Sequence, residues 1–324
     1  MTSGLLLSYF AVILGFVFLV WGADRFVHGA AATARNLGVS PMIIGLTIVG
    51  IGTSAPEILV SAMAAWQGNP ALGIGNAIGS NIANIALVLG TTALVTPLAV
   101  KSETLRREYP IMFSIMLLAL VLLLDGELSR LDGWILLAGL GLMILWMVQQ
   151  GLRRDHDPME DEFEQEIPRI STPIAIFWLG LGLVLLLGSS RALVWGAVNI
   201  AQAMGISDLV IGLTVVAIGT SLPELAASVM SALRKEPDIA IGNVIGSNMF
   251  NLLAVLGLPG VIKPHVLEPE VLSRDFPTMI GLSIALFAMA YGFKGDGRLN
   301  RWEGLLLLLA YFGYLGWLYL SVSH

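Results

Sequence analysis

Two glutamates stand where apolar sequence would otherwise run on. Glu57 closes the stretch "GLTIVGIGTSAPE" (Gly45 to Glu57), and Glu224 closes "GLTVVAIGTSLPE" (Gly212 to Glu224). A carboxylate in an apolar span is costly unless it is paired, hydrated or neutralised, so such a residue marks a functional site by default. A lone glutamate could be a protonated structural residue; a matched pair points to a cation. The hydroxyls of Thr53, Ser54, Thr220 and Ser221 lie beside them in the chain. A second pair of motifs, "GNAIGSNIAN" and "GNVIGSNMFN", places Ser80 and Ser247 each 23 residues after its glutamate, with Asn84 and Asn251 four residues further on. That spacing gathers Asn76, Ser80 and Asn84 on one helical stripe, and Asn243, Ser247 and Asn251 on another. Two carboxylates, four amides and six hydroxyls form an all-oxygen set. Such a set suits Ca²⁺, Na⁺ or another hard cation rather than zinc or copper. The chain has no cysteine, and His28, His156, His265 and His324 lie outside both motifs, where they read as loop or helix-end residues.

The elements that must hold these groups are helices that break. Pro56 and Pro223 remove a backbone donor, and Gly50, Gly52 and Gly219 loosen the same turns, so each helix is expected to break or kink just before its glutamate. Breaking frees carbonyl oxygens, which add hard ligands beside the carboxylate. Gly75, Gly79, Gly242 and Gly246 permit close approach of another helix, with or without an ion. Asn81 and Asn248 fall off the polar stripes and read as backbone-binding or capping residues.

Of the 324 residues, 56% are hydrophobic and 12% charged, and the mean hydropathy is +0.83. This composition implies an all-α polytopic membrane protein. Ten helices are expected, near 4–34, 40–66, 73–96, 108–124, 132–150, 172–204, 207–233, 240–261, 272–293 and 302–321. Residues 1–150 and 172–324 then form two five-helix repeats of one membrane domain, joined by a cytoplasmic linker at 151–171. With the N-terminus outside, 13 of the 17 Lys and Arg residues fall on the cytoplasmic side, as the positive-inside rule requires. Both termini are then extracytoplasmic in a multi-pass plasma (inner) membrane protein. The first apolar segment lacks a basic leader and continues into repeat sequence, so it reads as a spanning helix rather than a signal peptide. The acidic stretch "RRDHDPMEDEFEQEIPR" reads as a solvated linker, because it lacks the spacing of a calcium-binding loop.

The motifs recur at a fixed offset of 167 residues, from Gly45 to Gly212, Glu57 to Glu224 and Gly75 to Gly242. Five helices per repeat is an odd number, so the second repeat should enter the membrane inverted. A pseudo-twofold axis in the membrane plane would then bring Glu57 and Glu224 to a shared centre.

The paired "GTSxPE" and "GNxxGSNxxN" blocks resemble the alpha-repeats of the cation/calcium exchanger superfamily, and the whole chain is similar to its bacterial and archaeal sodium/calcium antiporter-like members. The resemblance implies ion ligands at Thr53, Ser54, Glu57, Ser80 and Asn84, and at Thr220, Ser221, Glu224, Ser247 and Asn251, with backbone carbonyls at Gly50 and Ala217. Asn251 stands where some members carry an aspartate. The expected function is exchange of Ca²⁺ for Na⁺ by alternating access, with the ions as substrates, the bilayer as surroundings and no cofactor. Exchange of Ca²⁺ for H⁺ through the same glutamates is the alternative. An intramembrane hydrolase would need a nucleophile and a base in unlike environments, whereas these polar sets are duplicates; no enzyme is expected. A passive channel is disfavoured because no oligomeric filter motif is present.

Overall fold

The computed structural model describes residues 3–39, 41–68, 70–100, 102–152, 170–204, 217–291 and 297–322. Most of the linker, with His156, and residues 205–216 lie outside the described residues, as do Lys294 and His324. Two helices form the centre, Pro70–Val95 and Pro237–Ile262. Of the most apolar 18-residue stretch in each, 78% and 100% respectively is buried. Their sequences explain this placement: glycine, alanine, serine and asparagine alternate with isoleucine and valine, leaving no bulky face that must be turned to lipid. Each starts at a proline, whose fixed φ and missing N–H suit the first helical turn. For that reason both begin three residues earlier than the sequence reading placed them.

The outer helices are the reverse. Ser3–Leu37 and Thr172–Ala203 are rich in leucine and other bulky apolar residues, and only 22% of the most apolar stretch of each is buried. Exposed Phe10, Leu14, Val17, Phe177 and Val184 form an apolar exterior of the kind a bilayer covers. The two helices lie against each other along their length and run antiparallel, since Gly196 meets Ser8, Gly22 meets Leu185 and Leu186, and Gly29 meets Ala175 and Leu179. Glycine is required at these crossings: a Cβ on Gly29 would sit 2.3 Å from the Leu179 backbone nitrogen, and one on Gly182 would sit 2.4 Å from that of Phe26.

Two short antiparallel ribbons tie the first 150 residues to the rest of the chain. Strand β1 (Leu98–Val100) pairs with Gly297–Leu299, and Glu127–Leu128 pairs with His265–Val266. The same cross-wise pattern holds for helices. Gly90 of the first central helix packs on Gly304 of Arg301–Val322, and Gly257 and Gly260 of the second pack on Arg130–Leu152, with Gly260 against Gly133.

Among the described residues, seven helices are long and apolar enough to cross a membrane, or eight if the bent pair Gly45–Thr53 and Ala55–Trp66 is one span. Ten were expected. Helix Ser102–Leu123 begins with Glu103, Arg106, Arg107 and Glu108, which shortens its apolar run. Helix Leu222–Leu233 has only twelve described residues. The chain is an integral multi-pass membrane protein. The expectation for the histidines is corrected at two positions: His265 lies in a paired strand, opposite Leu128, and His28 is neither in a loop nor at a helix end. It lies within Ser3–Leu37, with Nδ1 3.2 Å from Nη1 of Arg234, because that helix runs past the apolar stretch into the polar "ADRFVH" segment.

Candidate ion site

The expected breaks are present. Thr53 ends one helix, Ser54 takes φ −82°, ψ 1°, and a new helix begins at Ala55 with its axis turned by 48°. Ser221 takes φ −89°, ψ 4° before the helix Leu222–Leu233. The cause is local. A helix continued through Pro56 would lose the bond to the Gly52 carbonyl and push the proline ring against it. Each glutamate consequently lies in the first turn of a new helix, where unbonded backbone N–H groups and the positive end of the helix dipole favour an anion.

Both glutamates are almost wholly buried, at 1% exposure. Ser54 Oγ donates to Glu224 Oε1 at 3.2 Å, crossing from one half of the chain to the other. Thr53 Oγ1 lies 3.0 Å from both Asn243 Oδ1 and the Val49 carbonyl. One hydroxyl proton serves only one of them at a time. Thr53 Oγ1 and Ser247 Oγ are 3.5 Å apart. Asn84 Nδ2 donates to Asn248 Oδ1 at 3.2 Å.

The remaining oxygens carry the chemical information. Glu57 Oε1 and Oε2, Asn84 Oδ1, Ser221 Oγ, Glu224 Oε2 and Asn251 Oδ1 are all buried with no hydrogen-bond partner among the described residues. Buried polar atoms are normally satisfied, and carboxylates most of all. Six such oxygens, drawn from both halves and including three of the four glutamate oxygens, make a set that a cation would satisfy. Among the described residues no three His, Cys, Asp or Glu side chains group as a metal site, so neutral oxygens complete the set.

Contacts bring several of the sequence-derived residues together, Thr53 with Ser247, Ser54 with Glu224, and Ser80 with Glu57 through Asn76, and nearly all of them are enclosed. Thr53, Ser54, Glu57, Ser80, Asn84, Ser221, Glu224, Ser247 and Asn251 are buried, and Thr220 is half-buried. The Gly50 carbonyl already accepts the Ser54 N–H at 3.0 Å, so a ligand role there would use its second lone pair. Ala217 opens the short helix Ala217–Thr220, and its side chain lies outside the described set, as do Gly212–Val216 of the second motif.

Asn76 and Asn243 do different work from the rest of their stripes. Asn76 Nδ2 donates to the Glu57 backbone carbonyl at 3.3 Å, and Asn243 Nδ2 to that of Glu224 at 3.2 Å. Each braces the helix that carries a glutamate against the central helix beside it. Sequence reading missed Ser61 and Ser228, although each lies four residues after a glutamate, on the same helical face. Ser61 donates to the Val255 carbonyl at 2.6 Å, and Ser228 Oγ accepts from Asn243 Nδ2 at 2.9 Å.

Comparison with known proteins agrees with the geometry. The family model described as sodium/calcium exchanger protein matches residues 7–149 and 174–320. A protein named as the antiporter CaxA, from Alkalimonas amylolytica, is 50% identical over 96% of this chain and 98% of its own length. The inner membrane protein YrbG of Escherichia coli is 41% identical over 97% of this chain and 98% of its own. A solved structure of the sodium-calcium exchanger NCX_Mj, soaked with Na⁺ and Ca²⁺, superposes with a TM-score of 0.83 at 34% identity, covering 96% of this chain and 98% of that one.

Proposed function

The chain belongs to the sodium/calcium exchanger protein family, and on that premise we propose that it is a secondary active antiporter exchanging Ca²⁺ for Na⁺ at the Glu57–Glu224 centre. The observation that carries this reading is the set of six buried oxygens without a partner among the described residues, three from the two carboxylates and three from Asn84, Ser221 and Asn251. One Ca²⁺ or two Na⁺ neutralise the pair, so a loaded site can be carried through a low-dielectric core where an empty, doubly charged one is held back. The ligands are Glu57 and Glu224 with Thr53, Ser54, Ser80, Asn84, Thr220, Ser221, Ser247 and Asn251, and the carbonyls of Gly50 and Ala217. The ions are substrates, and the reading needs no cofactor and no enzymatic step.

In this reading residues 1–150 and 172–324 are inverted five-helix repeats, ten spans in all, with both termini outside the cytoplasm in the plasma membrane. The antiparallel run of Ser3–Leu37 against Thr172–Ala203 and the cross-wise ribbons support it. Alternating access then exposes the one centre to each side in turn.

Radiolabelled Ca²⁺ uptake into everted vesicles, driven by an imposed Na⁺ gradient or separately by a proton gradient, tests the function. Uptake that follows the Na⁺ gradient is expected. Uptake that follows only the proton gradient would assign the same glutamates to Ca²⁺/H⁺ exchange, and uptake with neither gradient would remove the antiporter reading. Topology is tested by single cysteines in this naturally cysteine-free chain. Those placed at Asp125 and His324 should react from outside, and those at His156 and Gly295 only from the cytoplasm. Labelling of His156 and His324 positions from the same side would remove the inversion.

A further inference from the structure

One buried amide outside the ligand set contacts it. Asn248 is fully buried and lies next to Ser247 on the second central helix. Its Nδ2 faces the Met112 sulfur at 3.8 Å. A thioether can only accept, so the Met112 sulfur fixes which end of the Asn248 amide points away from it. The end left over is Oδ1, which receives Asn84 Nδ2 at 3.2 Å. Asn84 thereby spends an N–H on Asn248, and its Oδ1 is buried and without a hydrogen-bond partner among the described residues.

The counterpart in the first half has the same residues and a different arrangement. At the offset of 167, Asn248 corresponds to Asn81, Asn84 to Asn251 and Met112 to Met279. Asn81 Nδ2 instead donates to the Ala77 carbonyl of its own helix at 2.7 Å, its Oδ1 is partnerless, and so is Asn251 Oδ1. The sequence repeats the three residues, but only one set is linked.

We propose that Asn248, held by Met112, is a positioning residue that orients Asn84 so that its carbonyl oxygen, rather than its amide nitrogen, faces the cation. An unheld asparagine can turn its NH₂ end toward the ion, and that end cannot ligate it. The proposal rests on the ion-site reading above, and the test separates the two.

Equilibrium binding of radiolabelled Ca²⁺ to the purified full-length protein is measured for Asn248→Leu, Asn84→Ala, the double variant and Met112→Leu, with size-exclusion profiles confirming folded protein. Asn248→Leu should weaken Ca²⁺ binding about three- to tenfold, the scale of one neutral hydrogen bond. In the Asn84→Ala background the same substitution should have no further effect, because its action passes through Asn84. Met112→Leu, which keeps volume and removes the acceptor, should weaken binding in the same direction by less. Additive losses in the double variant, or unchanged binding in Asn248→Leu, would overturn the positioning role while leaving the site intact. Unchanged binding in Asn84→Ala and in Glu57→Gln together would overturn the site itself. Should Asn248→Leu fail to fold, the Met112→Leu and Asn84→Ala pair supplies the same cycle.

Discussion

The two halves of this chain carry nearly the same motif at the same spacing, and they treat its parts unequally. The helix breaks are alike: Ser54 and Ser221 adopt the same backbone conformation within a few degrees, and each is followed by a helix with a glutamate in its first turn. The amide contacts are not alike. Asn243 is fully buried and has three partners, Thr53, Ser228 and the Glu224 carbonyl, whereas Asn76 is half-buried and makes two long contacts, to the Glu57 carbonyl at 3.3 Å and the Ser80 hydroxyl at 3.5 Å. Asn84 is held across the interface and Asn251 is not. What is set by local backbone chemistry is symmetric; what depends on the distance between halves is free to differ.

The largest expected effect tests the symmetric part. Glu57→Gln and Glu224→Gln should each abolish Ca²⁺ transport while leaving folded, inserted protein, since volume is kept and one negative charge is lost from the site. Near-normal flux in one variant but not the other would break the equivalence of the two glutamates. Next come the braces. Asn243→Leu removes the bonds to Thr53, Ser228 and the Glu224 carbonyl in a buried setting and should cost about 1–3 kcal/mol of stability. Asn76→Leu should cost less than about 1 kcal/mol. Equal shifts in thermal unfolding would erase the difference drawn here.

Smaller effects are expected at the hydroxyls. Ser80→Ala and Ser247→Ala each remove one neutral oxygen and should raise the Ca²⁺ concentration for half-maximal uptake by about two- to tenfold, well short of the glutamate variants. The subtlest is Asn251→Asp, which adds a third carboxylate to the empty site and should alter ion preference more than rate. Ca²⁺ flux measured against Na⁺ concentration and pH should diverge from the parent protein. Superimposable curves throughout would place Asn251 outside the site.

The sequence showed the breaks because their cause lies within a few residues. A proline immediately before the glutamate, with glycines upstream, cannot continue the α-helix that precedes it. The buried stripe was legible for a similar reason: serine and asparagine at i, i+4 share a face wherever the helix is placed. The π-helical turns that begin at Asn84 and Asn251 left no such trace. One extra residue in a turn is a matter of packing, and π-bulges of this kind often occur at functional sites. Nor did spacing separate Asn76 and Asn243, which brace, from Ser80 and Asn84, since all lie on one stripe.

From composition and repeat alone come a membrane-embedded helical protein and the expectation of an all-oxygen site with two glutamates as its charged members, because each follows from hydrophobicity, donor chemistry or local backbone sterics. Tertiary structure decided which oxygens keep an unspent lone pair. Asn84 and Asn248 are 164 residues apart, and Ser54 and Glu224 are 170 apart, so their bonds exist only once the helices of both halves have packed. The repeat supplies equal residues to each half. An interface between unlike neighbours then fixes one amide and leaves its twin unpaired.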